Sequence, residues 1–143
     1  PEEASPPHPH AFITFATATP LQYGAIAALR APESYYTQFV AEYRTKRDML
    51  IDGLSRLGFT VFPPAGTYFV LVDHTPFGFE SDVAFCKHLI EHVGVAAIPC
   101  SVFFHDPMDG RNLVRFAFCK TEETLREGLK RMNERLRSEG NRR

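Results

Sequence analysis

The chain has 143 residues, of which 44% are hydrophobic and 23% are charged, a composition typical of a folded domain with its own core. Its net charge of −1 argues against nucleic acid or a membrane surface as a partner, and no apolar run reaches membrane-spanning length. The chain has three cysteines, an odd number, and their spacing is not that of metal ligands; they are Cys86, Cys100 and Cys119. They argue against a disulfide framework and a metal site, and they fit a reducing compartment, the cytoplasm.

The N-terminal residues divide into a proline-rich leader and a predicted helix. Four prolines among residues 1–10 exclude helix and strand there. Thr19 as N-cap and Pro20 in the first turn predict a helix that runs through Arg30. Because this helix contains little charge, we expect it to be largely buried.

A second, longer helix is predicted between Pro32 and Gly58, a glycine suited to the position after a helix C-terminus. Apolar residues at helical spacing predict the buried face of this helix. They are Tyr36, Phe39, Val40, Tyr43, Leu50, Ile51, Leu54 and Leu57.

Short strands and helices alternate after Gly58. Runs rich in aromatic and β-branched residues predict strands at 59–62, 67–73, 95–98 and 112–120. The nearly continuous apolar run at 67–73 indicates a central strand that is covered on both faces. Ser81 and Thr121 are predicted to cap two further helices, the first of which ends at Gly94. This order predicts an α+β fold with helices packed on one side of the sheet.

The strand at 112–120 carries the first candidate functional residue, Arg115. Alternation places Val114, Phe116 and Phe118 on a core face and Arg115 on the other face, among small or apolar neighbours. A guanidinium in that position needs an anionic partner, because an unpaired buried charge is very costly. From the residues alone, an ion pair within the chain is favoured over a site for a carboxylate ligand.

An irregular loop is predicted at residues 99–111, and it contains two adjacent aromatic residues, Phe103 and Phe104. Two large rings side by side favour burial of at least one of them. We therefore expect one ring to lie either in the core or over a ligand.

Three segments are informative together: Val95-Ala-Ala-Ile-Pro-Cys-Ser-Val-Phe-Phe104, Asn112-Leu-Val-Arg-Phe-Ala-Phe-Cys-Lys-Thr-Glu-Glu-Thr-Leu125 and Gly66-Thr-Tyr-Phe-Val-Leu-Val-Asp73. They resemble the C-terminal part of class I pyridoxal-phosphate aminotransferases, in particular the branch of kynurenine aminotransferase/cysteine-S-conjugate β-lyase and the methionine aminotransferases. Residues 10–22 are similar to the segment that leads into the long helices of the family. The resemblance covers about residues 10–137 in order.

The resemblance implies the small C-terminal domain of a fold-type I enzyme, with a short, mainly antiparallel sheet, at residues 32–143. Residues 1–31 would be a leader and a partial segment of the large domain that binds pyridoxal phosphate. The implied substrates are an amino acid and a 2-oxo acid, and the implied assembly is a homodimer.

The resemblance also implies roles for single residues. Arg115 would bind the α-carboxylate of the substrate, which favours the ligand site over the ion pair. Phe103 and Phe104 would lie in a loop that covers the substrate, and Phe15 would reach into the pocket of the neighbouring subunit. Cys100 departs from the family pattern, because many relatives have glycine there, and packing suits this thiol better than reactivity.

The family requires a lysine that forms a Schiff base with pyridoxal phosphate. The chain contains only Lys46, Lys87, Lys120 and Lys130, which lie on or beside predicted helices and outside the sequence setting that the family uses. The resemblance therefore implies a fragment with no catalytic or cofactor-binding residue of its own. It would depend on the missing large domain and would be inactive alone.

The sequence leaves three alternatives to a transaminating enzyme. A cysteine-conjugate β-lyase would use the same site. A small RNA-binding α+β module is suggested by Arg115-Phe-Ala-Phe118, which is similar to a base-stacking motif, although the expected glycine and a basic face are missing. The third alternative is a non-catalytic α+β binding module.

Overall fold

The computed structural model describes residues 16–140, with side chains up to Leu136. The chain forms two compact units, and their boundary lies between Gln38 and Phe39. The assignment of residues 1–31 to a large domain and 32–143 to a small domain stays a prediction. Within residues 16–140, no helix combines the length and the apolar character that crossing a membrane requires.

Helix α1 (Thr19–Leu29) lies in the first unit. Its N-cap is Ala18 and no side chain caps it, so the prediction that Thr19 is the N-cap is wrong by one residue. The prediction of burial is also wrong, because none of the residues of α1 is buried and Leu29 is 82% exposed. The prediction relied on the low charge content of the helix. A helix with few charges becomes buried only where another segment packs against it.

Helix α2 (Glu33–Leu57) includes the boundary between the units and ends where predicted, before Gly58 with φ of 101°. Only the C-terminal part of its predicted apolar face is fully buried, at Leu50, Leu54 and Leu57. The N-terminal part of that face is exposed, as Val40 at 53% illustrates. The fully buried contacts of the long helix with the core of the second unit therefore lie in its last two turns, and Tyr43 packs against that core nearer the middle of the helix.

The second unit contains a sheet of four strands in the order β1-β2-β4-β3, with every neighbouring pair antiparallel. The strands are β1 (Thr60–Phe62), β2 (Phe69–Asp73), β3 (Ile98–Pro99) and β4 (Leu113–Ala117). The prediction of a strand at 95–98 that ends before Pro99 is wrong, because Pro99 is paired with Val114 inside β3. Proline has no N–H to donate to a partner strand, and it is tolerated here because β3 lies at the edge of the sheet.

Six helical segments follow β2 in the part of the chain that the structure describes. They are a 3-10 helix (Thr75–Phe77), α3 (Asp82–His88) with a π-helical turn (Leu89–Val93), a second 3-10 helix (Ser101–Phe103), α4 (Pro107–Gly110) and α5 (Glu122–Gly140). Both predicted caps are confirmed: Ser81 Oγ accepts from Ala84 N–H at 3.2 Å, and Thr121 Oγ1 accepts from Thr124 N–H at 3.2 Å. Gly94, with φ of 75°, ends the π-helical turn as predicted.

The core lies between one face of the sheet and the helices of the second unit. Val70, Val72, Val114 and Phe116 are buried on that face, and the predicted α+β fold is confirmed. The opposite face of β2 and β4 is only half-buried. The predicted burial of β2 on both faces is therefore wrong for the residues described, although β2 is central. This half-covered face carries the candidate site.

Candidate functional site

Arg115 lies in the middle of β4 on the half-buried face of the sheet, as alternation predicted. Its cross-strand neighbours are Leu71 of β2 and Ile98 of β3. Aliphatic neighbours on both sides can pack against the methylene groups of the arginine while the guanidinium extends beyond them. The sheet therefore holds the charged group at a defined position above an apolar surface.

Two aromatic rings contact the guanidinium of Arg115. Its Cζ atom lies 4.7 Å from the centre of the Phe69 ring and 5.2 Å from the centre of the Phe103 ring. The face of an aromatic ring attracts a cation, and the contact orients the planar guanidinium. Phe69 comes from β2 and Phe103 from the second 3-10 helix, so a strand and a loop together set the position of the charge.

The guanidinium has no carboxylate partner among the residues described. None of the ion pairs found within residues 16–136 includes Arg115, and its Nε atom is buried without a hydrogen-bond acceptor. The interpretation of Arg115 as half of an ion pair thus finds no support there. A buried donor without an acceptor costs free energy, so this group is suited to bind an anion from outside the segment.

Phe103 and Phe104 are 62% and 42% exposed, so neither ring lies in the core, and the placement of one ring over a ligand stays a prediction. Phe103 lies against the guanidinium of Arg115 instead of in the core. Phe104 lies against Gly110, where an added Cβ atom would come within 2.5 Å of the ring. Phe15, the remaining predicted substrate contact, lies outside the described residues.

The carboxylate of Asp82 accepts a hydrogen bond from the loop that carries Phe103. Asp82 is 1% exposed, and its Oδ2 atom accepts a hydrogen bond from Ser101 N–H at 2.7 Å. Its Oδ1 atom accepts from Val83 N–H at 2.9 Å. Sequence reasoning missed this residue, because an acidic residue directly after the N-cap Ser81 is a common feature of a helix start. Only its burial in the fold distinguishes it.

Two of the three thiols lie beside Asp82. Burial raises the pKa of Cys86 to about 12 and also raises the pKa of Cys100, and the Asp82 carboxylate adds to both shifts. Both side chains are buried, whereas Cys119 is exposed. The expectation that Cys100 packs and does not react fits this environment, because the thiolate is the reactive form of cysteine.

These thiols lead to a labelling prediction. In the 143-residue chain at neutral pH, we expect iodoacetamide to modify Cys119 and to leave Cys86 and Cys100 unmodified. A raised pKa keeps the thiol protonated, so labelling of Cys86 should begin only as the pH approaches about 12 or as the chain unfolds. Peptide mass mapping measures the modification at each site. Rapid labelling of Cys86 in the folded chain at neutral pH would contradict the burial described.

The lysines do not fit the role of a Schiff-base residue, which requires a neutral amine in a desolvated site. Lys46 forms an ion pair with Glu42, and this hydrogen bond raises the pKa of the amine, which is the wrong direction. Lys87 lies 3.8 Å from Glu91 and is 72% exposed. Lys120 and Lys130 are exposed. The surroundings of these lysines therefore do not match those expected of a covalent site for pyridoxal phosphate.

Comparison with known proteins identifies the family. The model of the family described as "Aminotransferase class I and II" matches residues 10–132. The chain is 39% identical over 125 residues to the methionine aminotransferase of Escherichia coli, covering 87% of this chain and 32% of that protein. It is 36% identical over 131 residues to a probable N-succinyldiaminopimelate aminotransferase of Mycobacterium tuberculosis, covering 85% and 33%. With the human kynurenine–oxoglutarate transaminase 1 it shares 32% identity over 121 residues, covering 76% and 28%.

The structural comparison agrees with the sequence comparison. A solved structure from Escherichia coli, reported to have a methionine aminotransferase function, superposes with a TM-score of 0.74 and covers 87% of this chain. The match covers 32% of that chain, so the protein described here spans about a third of the length of its relatives. The helices and the antiparallel sheet match a fragment of a fold-type I aminotransferase domain. The chain belongs to the class I and II aminotransferase family, whose members generally depend on pyridoxal phosphate, and it corresponds to a part of such an enzyme.

Proposed function

We propose that the chain is the C-terminal part of a pyridoxal-phosphate-dependent aminotransferase that moves an amino group between an amino acid and a 2-oxo acid. In this proposal Arg115 binds the α-carboxylate of the substrate. The observation that carries the proposal is the guanidinium of Arg115, which lies on the half-buried sheet face with a buried Nε donor and no acceptor within residues 16–136.

The chemistry of the guanidinium suits a carboxylate. Its planar fork of N–H groups forms two parallel hydrogen bonds with the two oxygens of a carboxylate. Because Phe69 and Phe103 contact the cation, the fork is oriented before the substrate arrives. An amino acid held by its carboxylate in this way presents its α-carbon in a fixed direction.

The remaining parts of the proposal concern residues and partners around this contact. Phe103 and Phe104 contact the substrate from the loop, and Phe15 reaches the pocket of the second subunit in a homodimer. Residues 1–31 belong to the large domain and residues 32–143 to the small domain of the parent enzyme. The covalent site for pyridoxal phosphate lies in the parent outside this chain, since Lys46, Lys87, Lys120 and Lys130 do not fit it. The free thiols support a cytoplasmic enzyme.

The alternatives are less well supported. A β-lyase would use the same contact of Arg115 with a substrate carboxylate, and nothing in the site favours elimination. A binding module without catalysis does not account for the similarity to proteins that are named as aminotransferases. Transamination is therefore the proposed activity.

The test compares the full-length parent with the 143-residue chain, each mixed with pyridoxal phosphate, a panel of amino acids and a 2-oxo acid. We expect transamination by the parent and no turnover by the chain beyond that of free pyridoxal phosphate. Turnover by the chain that is abolished by replacing one of its lysines would refute the assignment of the cofactor site. A parent that releases pyruvate from cysteine conjugates and does not transaminate would be a β-lyase instead.

A further inference from the structure

We propose that Asp82 is a positioning residue for the carboxylate site, because its side chain holds the turn that places Phe103 against Arg115. The inference rests on the proposed role of Arg115 and extends it to a residue that does not itself contact the substrate.

The carboxylate of Asp82 is buried without a cation. It is 1% exposed, and no ion pair found within residues 16–136 includes it. Burying a carboxylate is costly unless hydrogen bonds compensate, and the donors here are the backbone N–H groups of Val83 and Ser101. A residue this costly to bury requires an explanation beyond packing.

The start of helix α3 does not explain Asp82. Ser81 already caps this helix through its Oγ atom, which accepts from Ala84 N–H at 3.2 Å. The backbone of Asp82 separately joins the helix to the segment before β4, since its N–H donates to Arg111 O at 2.9 Å. Neither contact needs a carboxylate. The carboxylate accepts from Val83 N–H, the next residue of the helix, and from Ser101 N–H, 19 residues further along the chain, and only the second hydrogen bond joins α3 to the turn.

Ser101 begins the second 3-10 helix, and its N–H needs an acceptor from outside the turn. The hydrogen bonds of the turn itself are Phe103 N–H to Cys100 O at 3.0 Å and Phe104 N–H to Ser101 O at 3.3 Å. Cys100, the N-cap residue, provides no side-chain acceptor. The first N–H of a helical turn lacks an internal partner, and Asp82 supplies it with a charge-assisted hydrogen bond of 2.7 Å.

The position of the Phe103 ring depends on this 3-10 turn. Because this ring is 62% exposed, core packing does not fix it, and its position depends on the backbone that carries it. That backbone is joined to β4 by the hydrogen bond from Cys100 N–H to Leu113 O at 3.2 Å, and to α3 by Asp82. Loss of the Asp82 carboxylate would release the second attachment and free the ring from the guanidinium of Arg115.

The experiment uses the full-length parent with Asp82→Asn and Asp82→Ala. The control is Gly53→Ala, which places a Cβ atom 2.5 Å from Leu129 at the contact of α2 with α5, away from the turn. Four quantities are measured: amide hydrogen exchange at residues 101–104, melting temperature, kcat and KM for an amino acid, and the inhibition constant of hydrocinnamate, a carboxylate without an amine.

We expect Asp82→Ala to accelerate exchange at residues 101–104 and to raise both KM and the hydrocinnamate inhibition constant by about ten-fold, with a smaller change in kcat. Asp82→Asn keeps one acceptor oxygen in a side chain of the same shape, so its effects should lie between those of alanine and wild type. Gly53→Ala should leave KM, the inhibition constant and exchange at the turn unchanged, because the flexible end of Leu129 can move away from the added Cβ atom.

Unchanged exchange at residues 101–104 in both Asp82 variants would overturn the inference. Faster exchange with wild-type KM and inhibition constant would also overturn it, because Asp82 would then hold the turn without affecting the site. Arg115→Ala, measured in parallel, distinguishes a failure of the proposed role of Arg115 from a failure of the role of Asp82. If Arg115→Ala binds hydrocinnamate normally, the proposed role of Arg115 fails. If it loses binding while the Asp82 variants keep it, only the role of Asp82 fails.

Discussion

Replacing Arg115 with alanine in the full-length parent is expected to lower kcat/KM by about ten-fold to a few hundred-fold. This range corresponds to the loss of a bidentate charge-assisted contact of about 1.5–3 kcal/mol. The loss is larger if the substrate also loses its alignment. Stability should change little, because β4 packs into the core through Val114 and Phe116, on the opposite face. Alanine also removes the buried Nε donor that has no acceptor within residues 16–136.

Arg115→Lys tests the fork of the guanidinium separately from its charge. We expect its kcat/KM to be nearly as low as that of Arg115→Ala, since lysine keeps a positive charge but does not form two parallel hydrogen bonds in one plane. Arg126→Ala is the control, because Arg126 pairs with Glu122 at 3.2 Å on the exposed surface of α5. Steady-state kinetics and melting temperature are measured for each variant. Retained activity in Arg115→Ala with a collapsed melting temperature would make Arg115 a structural residue.

Phe85→Ala is expected to lower the free energy of unfolding by about 3–5 kcal/mol, the usual cost of emptying a fully buried phenylalanine site. Phe85 is 0% exposed and lies at the centre of an aromatic cluster. The centre of its ring lies 5.1 Å from the centre of the His74 ring, on which it stacks. The ring centres of three phenylalanines lie nearby, at 5.5 Å for Phe77, 5.1 Å for Phe79 and 5.9 Å for Phe59. Such a tightly surrounded site collapses poorly when the ring is removed.

Phe103→Ala is the matched control for Phe85→Ala, because it removes the same side chain from a position that is 62% exposed. Its effect on stability should stay within about 0.5 kcal/mol. Urea unfolding of the full-length parent, followed by circular dichroism, measures both variants. Equal destabilisation by the two substitutions would show that the aromatic cluster around Phe85 is not the centre of the core.

Local signals predicted the elements well where one residue decides the outcome. Ser81, Thr121, Gly58 and Gly94 set helix ends, because caps and left-handed glycines act within a few residues of sequence. The position of β3 was not predictable in the same way. It depends on pairing Ile98 with Arg115 across the sheet, a choice that the apolar run at 95–98 does not contain.

The candidate site likewise combines a position that the sequence predicts with contacts that it does not. Alternation along β4 placed Arg115 on the face opposite the core, and the resemblance gave that position a chemical meaning. The contact of the guanidinium with Phe69 requires the pairing of β2 with β4. The hydrogen bond from Ser101 to Asp82 likewise requires the end of one loop to meet the start of a helix. Contacts of this kind follow from the fold and have no local pattern in sequence.

Proline at both edges of the sheet has a consequence for solubility during folding. The outer strands are β1, which is followed by Pro63 and Pro64, and β3, which contains Pro99. Both strands are short, with three and two residues. An exposed strand edge recruits other chains by offering a row of free N–H and C=O groups, and short strands with proline offer few of them. Copies of this segment are therefore protected against joining strand to strand into aggregates.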